Sequence, residues 1–174
     1  MPKKEDNPSD LVADEVVAIG AYTIWLSIPL NSVLWSARGV PETVKPFVNE
    51  MNSGLAKLPK YFGPVVRWLY LTDEEITSEF RNHLTTHKPT IFYAFTSCSK
   101  NLRYVYDPPR TGLPEDWVDK KFVKLIIISK TGRDITKYSG NPEEEEVLFR
   151  NETPFNVDRV NDKKDPVEIH LTEL

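Results

Sequence analysis

Apolar side chains recur at helical spacing through the first third of the chain, which predicts helices there. The first helix is expected over residues 15–27, and a second, shorter one over residues 30–36. Pro29 is expected to separate them because it lacks the backbone N–H that a continuous helix requires. A third helix is predicted over residues 41–58, and Pro46 inside it indicates either a later start or a kink.

After residue 60 the pattern changes to short runs rich in β-branched and aromatic residues, which predict strands. The uninterrupted apolar end of residues 121–128 indicates a central strand, and Thr72 is placed to cap a short helix over residues 73–83. The other predicted strands cover residues 65–71, 90–97, 134–138, 145–149, 153–160 and 167–172. Helices followed by strands predict an α+β fold with a mostly antiparallel sheet.

The length of 174 residues suits one domain with a core of its own. Residues 1–13 are predicted to form a disordered lead, and residues 14–174 a single domain. The N-terminus is charged and lacks the apolar segment of a signal peptide. Residues 16–35 carry no charge over about the length of a membrane helix, but Pro29 and several polar residues interrupt them. The chain is therefore predicted to be soluble, with no membrane partner.

Charge and cysteine content argue against several classes of function. A net charge of -4 disfavours a nucleic-acid partner held on a broad basic surface. The single cysteine, Cys98, rules out an intramolecular disulfide and a cysteine-rich zinc site. His83 and His87 lie four residues apart without a matching arrangement of carboxylates, so no metal site is predicted.

Four consecutive glutamates, residues 143–146, follow a polar turn and lead into an apolar run. If this segment is extended, Glu144 and Glu146 share one face and the other two glutamates point into solvent. Paired carboxylates are a standard means of breaking a bond to the anomeric carbon of a sugar. The simpler alternative is a solvated acidic turn.

Two further polar features lie in the strand region. Arg67 sits inside an apolar run, where a charge is costly unless it meets a carboxylate or an anionic ligand. Ser97 and Ser99 end an aromatic run, where they either contribute to a site or close the strand with hydrogen bonds to the backbone. With the glutamates, they provide a cation, small hydroxyls and a carboxylate pair.

The order Arg67, then Phe95-Thr-Ser-Cys-Ser99, then Glu144-Glu-Glu146-Val-Leu resembles the arginine–serine–glutamate class of mono-ADP-ribosyltransferases, which includes bacterial toxins and secreted effectors. The resemblance covers residues 14–172. Further stretches similar to that family are residues 18–23 with 30–34, 55–59, 138–143 and 153–157. The fold implied is a set of N-terminal helices packed on a mostly antiparallel split β-sandwich, and the substrate implied is NAD, with no metal.

The resemblance also implies roles for individual residues. Arg67 would hold NAD through its phosphate or ribose side, and Ser97 would position Glu146 and contact the nicotinamide ribose. Glu146 would be the catalytic glutamate, stabilising the cation-like ribose as nicotinamide leaves. Glu144 would act on the incoming acceptor, and a glutamate at that position implies an arginine. Ser99 is also expected to contribute to NAD binding.

The loop between Ser99 and the next strand is expected to contact nicotinamide. Tyr106 and Arg110 are the residues chosen for this role, with Tyr104 and Arg103 nearby, although an ordinary surface loop explains them equally well. The family often has glycine after the arginine of its first strand, and here Trp68 takes that place. Cys98 replaces the usual threonine between the two serines.

The function implied is transfer of ADP-ribose from NAD to an arginine of a target protein by a toxin or secreted effector. Hydrolysis of NAD, modification of nucleic acid, and an inactive NAD-binding interaction module are the alternatives. The free cysteine suits work in a reducing cytosol, including that of a host or competitor cell. A cognate immunity protein or host protein is a possible further partner.

Overall fold

The N-terminal helices pack together at one end of the chain's sheet. The computed structural model describes residues 10–105 and 119–174. Its helical part consists of α1 (Ala13–Ala21), a π-helical turn (Tyr22–Leu26), α2 (Ser27–Ala37) and α3 (Lys45–Lys57). α3 begins later than residue 41 and carries Pro46 in its first turn, where a missing N–H is tolerated.

The predicted break at Pro29 is wrong, because the helix runs without interruption from Ala13 to Ala37. The π-helical turn explains this. Within it the Ser27 N–H bonds to Tyr22 O, five residues back, so the backbone is widened just before the proline. A proline ring normally clashes with the carbonyl four residues earlier, here that of Trp25, and the irregular turn relieves that clash.

The residues just before and at the start of α1 contact the helices and the core beneath them. Leu11 packs against the apolar core beneath the helices, and Lys57 Nζ donates to Asp10 O at 3.1 Å. Val12 N–H donates to Glu15 Oε2 at 2.9 Å, which closes the first helical turn. Residues 10–13 therefore pack against the helices, and the predicted division of the chain at residue 14 stays a prediction.

Eight strands of the described residues form one hydrogen-bonded sheet in the order β2-β7-β8-β4-β1-β3-β6-β5. β4 and β8 run parallel, and the other paired strands of the described chain run antiparallel. A helical segment between β1 and β2 comprises α4 (Asp73–Ile76), a π-helical turn (Thr77–Arg81) and α5 (Asn82–Thr86). The strands are β1 (Gly63–Leu71), β2 (Thr90–Phe92), β3 (Thr96–Ser99), β4 (Lys121–Ser129), β5 (Arg133–Asp134), β6 (Glu146–Phe149), β7 (Thr153–Asn161) and β8 (Val167–Glu173).

The single strand predicted over residues 90–97 is two strands in different parts of the sheet. β2 pairs with β7, whereas β3 pairs with β1 and β6. The chain crosses from one apolar core to another between them, since Phe92 packs in the core shared by the sheet and α4, and Phe95 packs beneath the N-terminal helices. Residues 90–97 were predicted as one strand because the run contains apolar and aromatic residues at both of its ends.

The strand predicted over residues 134–138 also ends early, at Asp134. Asp134 Oδ1 accepts hydrogen bonds from the backbone N–H and the hydroxyl of Thr136, at 3.0 and 2.7 Å. This side chain-to-backbone turn diverts the chain from the sheet. Tyr138 N–H then donates to Ile135 O at 2.8 Å and begins the turn that leads to the glutamates.

The sheet is split between β1 and β3, which share a single register pair, Val66 with Ser99. Val147 and Phe149 of β6 pack in the core that both halves of the sheet share, whereas Leu148 packs beneath the N-terminal helices. Both faces of β6 are therefore buried, which fixes its register. The α+β architecture with a mostly antiparallel, split sheet confirms the prediction from the sequence.

The helix Ala13–Ala37 has the length and apolar composition of a membrane span, as no other helix of the described ranges does. A core helix of a water-soluble protein meets the same two criteria, so length and composition are weak evidence for a membrane span. The expectation that the chain has no membrane partner remains a prediction.

Candidate active site

Ser97 and Glu146 are joined by a direct hydrogen bond at the centre of the site. β3 and β6 pair Ser99 with Glu146 and Ser97 with Leu148, so both side chains point to the same face of the sheet. Ser97 Oγ donates to Glu146 Oε1 at 2.6 Å. Glu146 is 5% exposed, and its carboxylate is thus fixed in a largely dry environment. The predicted Ser97–Glu146 arrangement is therefore present in the folded chain.

Burial raises the pKa of Glu146 above its ordinary value, because a carboxylate loses hydration there. Hydrogen bonds from the Ser97 and Ser139 hydroxyls, and the charge of Arg67, oppose this rise. The charge of Glu144 adds to it. The serine hydroxyls therefore help to keep Glu146 ionised, which is the form that stabilises a developing positive charge.

Arg67 lies beside this pair, on β1. Its Nη1 donates to Ser97 O at 2.6 Å, so the guanidinium bridges the split between β1 and β3. Within residues 10–105 and 119–174 Arg67 forms no ion pair, unlike Arg81, which meets Asp73 and Asp162. The arginine thus keeps donors available at the place where the two halves of the sheet separate.

Glu144 does not lie on the strand, and the prediction that it shares a strand face with Glu146 is wrong. It ends a short 3-10 helix, Pro142–Glu144, and β6 begins only at Glu146. The intervening Glu145 adopts the left-handed conformation with φ 47°, which turns the chain between the two carboxylates. Glu144 nevertheless lies close enough to raise the pKa of Glu146.

Two neighbours hold Glu144 at one oxygen. The Tyr104 hydroxyl and Asn141 Nδ2 both donate to its Oε1, at 3.0 and 2.9 Å. Tyr104 is itself held by Trp68, whose Nε1 donates to Tyr104 O at 2.7 Å. The sequence placed Tyr104 in the loop expected to contact nicotinamide, and only the folded chain shows that its hydroxyl meets Glu144.

The two departures from the family pattern are accommodated without filling the site. The Trp68 ring stacks on Phe122 with centroids 4.8 Å apart, and Lys124 Nζ lies 5.4 Å from its centre. Cys98 is buried in the core shared by the two halves of the sheet, and burial raises the pKa of its thiol to about 12. A thiol that stays protonated at neutral pH is not a nucleophile.

Three further residues were predicted to bind NAD, namely Ser99, Tyr106 and Arg110. Ser99 is buried, and its hydroxyl accepts from Asn101 N at 3.0 Å and donates to Asn101 O at 3.3 Å, which closes a local turn. Tyr106 and Arg110 lie outside the described residues. Within those residues no group of three or more histidine, cysteine or acidic side chains is placed to hold a metal.

Sequence reasoning did not assign Tyr22 and Asn31 to the site, although both lie in stretches that resemble the family. The Tyr22 hydroxyl donates to Phe95 O at 3.4 Å and accepts from Asn31 Nδ2 at 2.9 Å. Burial raises the pKa of Tyr22 to about 12, and the charges of Arg67 and Glu146 act on it in opposite directions. Asn31 Oδ1 is a buried acceptor without a partner among the described residues. It is therefore a candidate contact for a ligand.

Comparison with known proteins shows the family of this chain. Residues 2–174 match the family NAD:arginine ADP-ribosyltransferase. A curated relative, the NAD(+)–protein-arginine ADP-ribosyltransferase Tre1 of Pseudomonas putida (strain GB-1), is 32% identical over 158 residues. The alignment covers 87% of this chain and 27% of the relative, so the chain spans about a quarter of the length of that protein.

Solved structures share the fold at low identity. The ADP-ribosyltransferase HopU1 of Pseudomonas syringae pv. tomato DC3000 superposes with a TM-score of 0.76 at 18% identity, covering 95% of this chain and 78% of that one. The Vis toxin of Vibrio splendidus in complex with agmatine gives 0.67 at 21% identity, covering 95% and 76%. The fold is that of ADP-ribosyltransferases, and the family match extends over nearly the whole sequence. The chain belongs to the NAD:arginine ADP-ribosyltransferase family.

Proposed function

We propose that this chain cleaves the bond between nicotinamide and ribose in NAD and transfers ADP-ribose to an arginine of a target protein. The observation that carries the proposal is the buried Glu146 carboxylate, held 2.6 Å from Ser97 Oγ beside the Arg67 guanidinium. A fixed carboxylate in a dry cleft stabilises positive charge far better than one in water.

Glu146 acts at the bond-breaking step. As the bond from the ribose C1′ to the nicotinamide nitrogen breaks, its electron pair leaves with nicotinamide and C1′ becomes cation-like. The Glu146 carboxylate accepts a hydrogen bond from a ribose hydroxyl and stabilises that charge. Ser97 serves as a positioning residue, since its hydroxyl fixes the rotamer of Glu146 and favours its ionised form.

Arg67 and Asn31 provide the polar groups that hold the substrate at that carboxylate. The Arg67 guanidinium has donors left after its bond to Ser97 O, and they suit the diphosphate or a ribose hydroxyl of NAD. Asn31 Oδ1 supplies a buried acceptor for a donor on the substrate, such as an amide or a hydroxyl.

Glu144 receives the acceptor. A guanidinium nitrogen of arginine attacks C1′ and gives up a proton, for which the Glu144 carboxylate is the nearby base. Tyr104 and Asn141 occupy Oε1, which leaves Oε2 to meet the guanidinium. The names of the Tre1 relative, a protein-arginine enzyme, and of the Vis complex with agmatine, an arginine analogue, support arginine as acceptor.

The setting we propose is that of a toxin or secreted effector, in line with the Vis toxin fold. The free, buried Cys98 suits a reducing cytosol, where the target protein would be met. An immunity protein in the producing cell, or a host protein, is a further proposed partner.

The test is an assay of the purified chain with NAD labelled in its ADP-ribose part and with agmatine as acceptor. Release of nicotinamide together with labelled agmatine is expected. Glu146→Gln should reduce both by about a hundredfold or more, because the neutral amide cannot stabilise the cation. Glu143→Gln is the matched control, since Glu143 is exposed in the same turn and should leave both rates unchanged. Release of nicotinamide without labelled agmatine would indicate hydrolysis instead, and no release at all would refute the proposed function.

A further inference from the structure

Three large apolar side chains project into solvent from the middle of the long N-terminal helix. Ile24 and Trp25 are each 71% exposed and Ile28 is 83% exposed. They present on the order of 400 Å² of apolar surface, a size that is often functional on a soluble domain. We call Ile24, Trp25 and Ile28 the apolar ridge. The opposite side of the same helix is well packed, since Tyr22, Leu30 and Leu34 are buried.

The π-helical turn joins the apolar ridge to the active site. On its inner side, Tyr22 donates to Phe95 O, two residues before Ser97. On its outer side, Thr23 Oγ1 accepts from Gly140 N at 3.3 Å. Ile24 lies against the same glycine, because a Cβ added at Gly140 would meet Ile24 Cγ1 at 3.1 Å. A single helical turn therefore contacts both the strand of Ser97 and the turn that carries Glu144.

The turn beside the apolar ridge is acidic. Asn141 and Pro142 follow Gly140, and then come Glu143 and Glu144, of which Glu143 is exposed. Apolar side chains next to a carboxylate rim match a protein surface on which an arginine stands beside apolar residues. A free arginine or agmatine is too small to cover the ridge while it reaches Glu144.

We infer that the apolar ridge is the docking surface for the folded target protein, which presents its acceptor arginine to Glu144 and packs apolar side chains on Trp25 and Ile28. This inference rests on the proposed function, because it requires a protein acceptor. The turn at Gly140 then lies between Glu144 and the apolar ridge. A target protein bound on the ridge therefore places its arginine at the entrance of the active site.

The substitutions Trp25→Gln and Ile28→Gln, alone and together, test the ridge without altering the contact of Ile24 with the turn. Glutamine keeps helix propensity, and an exposed change of this kind should leave the thermal midpoint of unfolding nearly unchanged. Phe62→Gln is the matched control, since Phe62 is also 71% exposed but precedes β1. Each variant is assayed with labelled NAD on three readouts, which are nicotinamide release, labelling of agmatine, and the initial rate of labelling of proteins in a cell lysate.

The expected result is that the double variant keeps nicotinamide release and agmatine labelling within about twofold and loses about tenfold or more of protein labelling. Phe62→Gln should keep all three rates. Unchanged protein labelling in the double variant overturns the inference, as does a parallel loss of agmatine labelling. A wild-type chain that labels neither agmatine nor protein refutes the proposed function itself, so the two failures are distinct.

The same variants also test whether the apolar ridge binds a second copy of the chain or a membrane surface instead. A concentration-dependent dimer of the wild-type chain that the double variant abolishes would make the ridge a contact between two copies and overturn the inference. Co-sedimentation with vesicles of anionic phospholipid that the double variant abolishes would assign it to a membrane surface, with the same consequence. A monomer that ignores vesicles in both forms agrees with target docking.

Discussion

The Tyr104 hydroxyl donates to Glu144 Oε1 at 3.0 Å, across 40 residues of sequence. Because Trp68 Nε1 donates to Tyr104 O at 2.7 Å, the Glu144 carboxylate is tied through Tyr104 to the central strand β1. Glu144 sits on a turn and not on a strand, so this tie provides the rigidity that a strand would otherwise give.

Tyr104→Phe should impair transfer to agmatine and leave NAD hydrolysis nearly unchanged, because it removes one of the two hydrogen bonds to Glu144 Oε1 without touching Glu146. A loss of about three- to tenfold in transfer is expected for one neutral hydrogen bond to a carboxylate. The measurement is the ratio of labelled agmatine to released nicotinamide.

Glu144→Gln should give a larger shift of the same ratio, since the base itself is lost. Adding Tyr104→Phe to Glu144→Gln should then cause little further change, because both act through one carboxylate. Fully additive losses in the double variant would show that Tyr104 acts independently of Glu144.

Arg67→Lys should raise the KM for NAD by about tenfold or more while the protein stays folded. A lysine keeps the charge but cannot donate to Ser97 O and to an anionic substrate with the same planar fork. Steady-state kinetics of nicotinamide release measure the change. The control is Arg159→Lys, an exposed arginine on β7, which β8 and β4 separate from β1, and it should not alter the KM. An unaltered KM in Arg67→Lys would remove Arg67 from the substrate site.

The pH dependence of NAD cleavage should report the ionisation of Glu146. Its pKa is raised by burial, and the rate requires the carboxylate, so activity falls as the pH drops through that raised pKa. Ser97→Ala removes the hydrogen bond that lowers this pKa, so the acidic limb of the profile should move to higher pH. Ser139→Ala should move it the same way by a smaller amount. A limb that stays in place in Ser97→Ala would mean that another group controls it.

The stability of the helical layer should depend on Glu15 at low pH. Hydrogen bonds from Lys57 and Ser53 lower the pKa of this buried carboxylate to about 2, below its ordinary value of 4.5. The stabilisation is fully present above the ordinary pKa and is lost as the pH falls from about 4.5 towards 2. Thermal unfolding of wild type and Glu15→Gln should therefore differ at pH 6 and converge towards pH 2. Glu50→Gln, at an exposed position of the same helix α3 that carries Ser53 and Lys57, is the control.

Much of the site could be predicted from the sequence because its core consists of residues on strands. Ser97 and Glu146 lie on β3 and β6, and alternation along a strand fixes which face each side chain takes. Arg67 was recognisable because a charge inside an apolar run needs a partner. The helical and strand regions themselves follow from spacing, with errors at their ends.

The errors occur where the chain turns or changes its core. Glu145 adopts φ 47°, and nothing in a run of four identical residues marks the one that turns. Phe92 and Phe95 pack in two different apolar cores. The hydrophobicity of the run does not show which core each side chain enters. The helix continues through Pro29 because a π-helical turn precedes it, which the spacing of apolar residues does not predict.

The sequence by itself determined the class of fold, because periodicity acts over a few neighbouring positions. Arg67, Ser97 and Glu146 were picked out as candidate site residues by their order along the chain, which resembles that of a known family. Only the tertiary structure decided that Glu144 sits on a turn held by Tyr104, and that the apolar ridge lies against Gly140. These contacts join residues 40 and more than 100 positions apart. Their formation depends on how the sheet and helices pack, which no local pattern specifies.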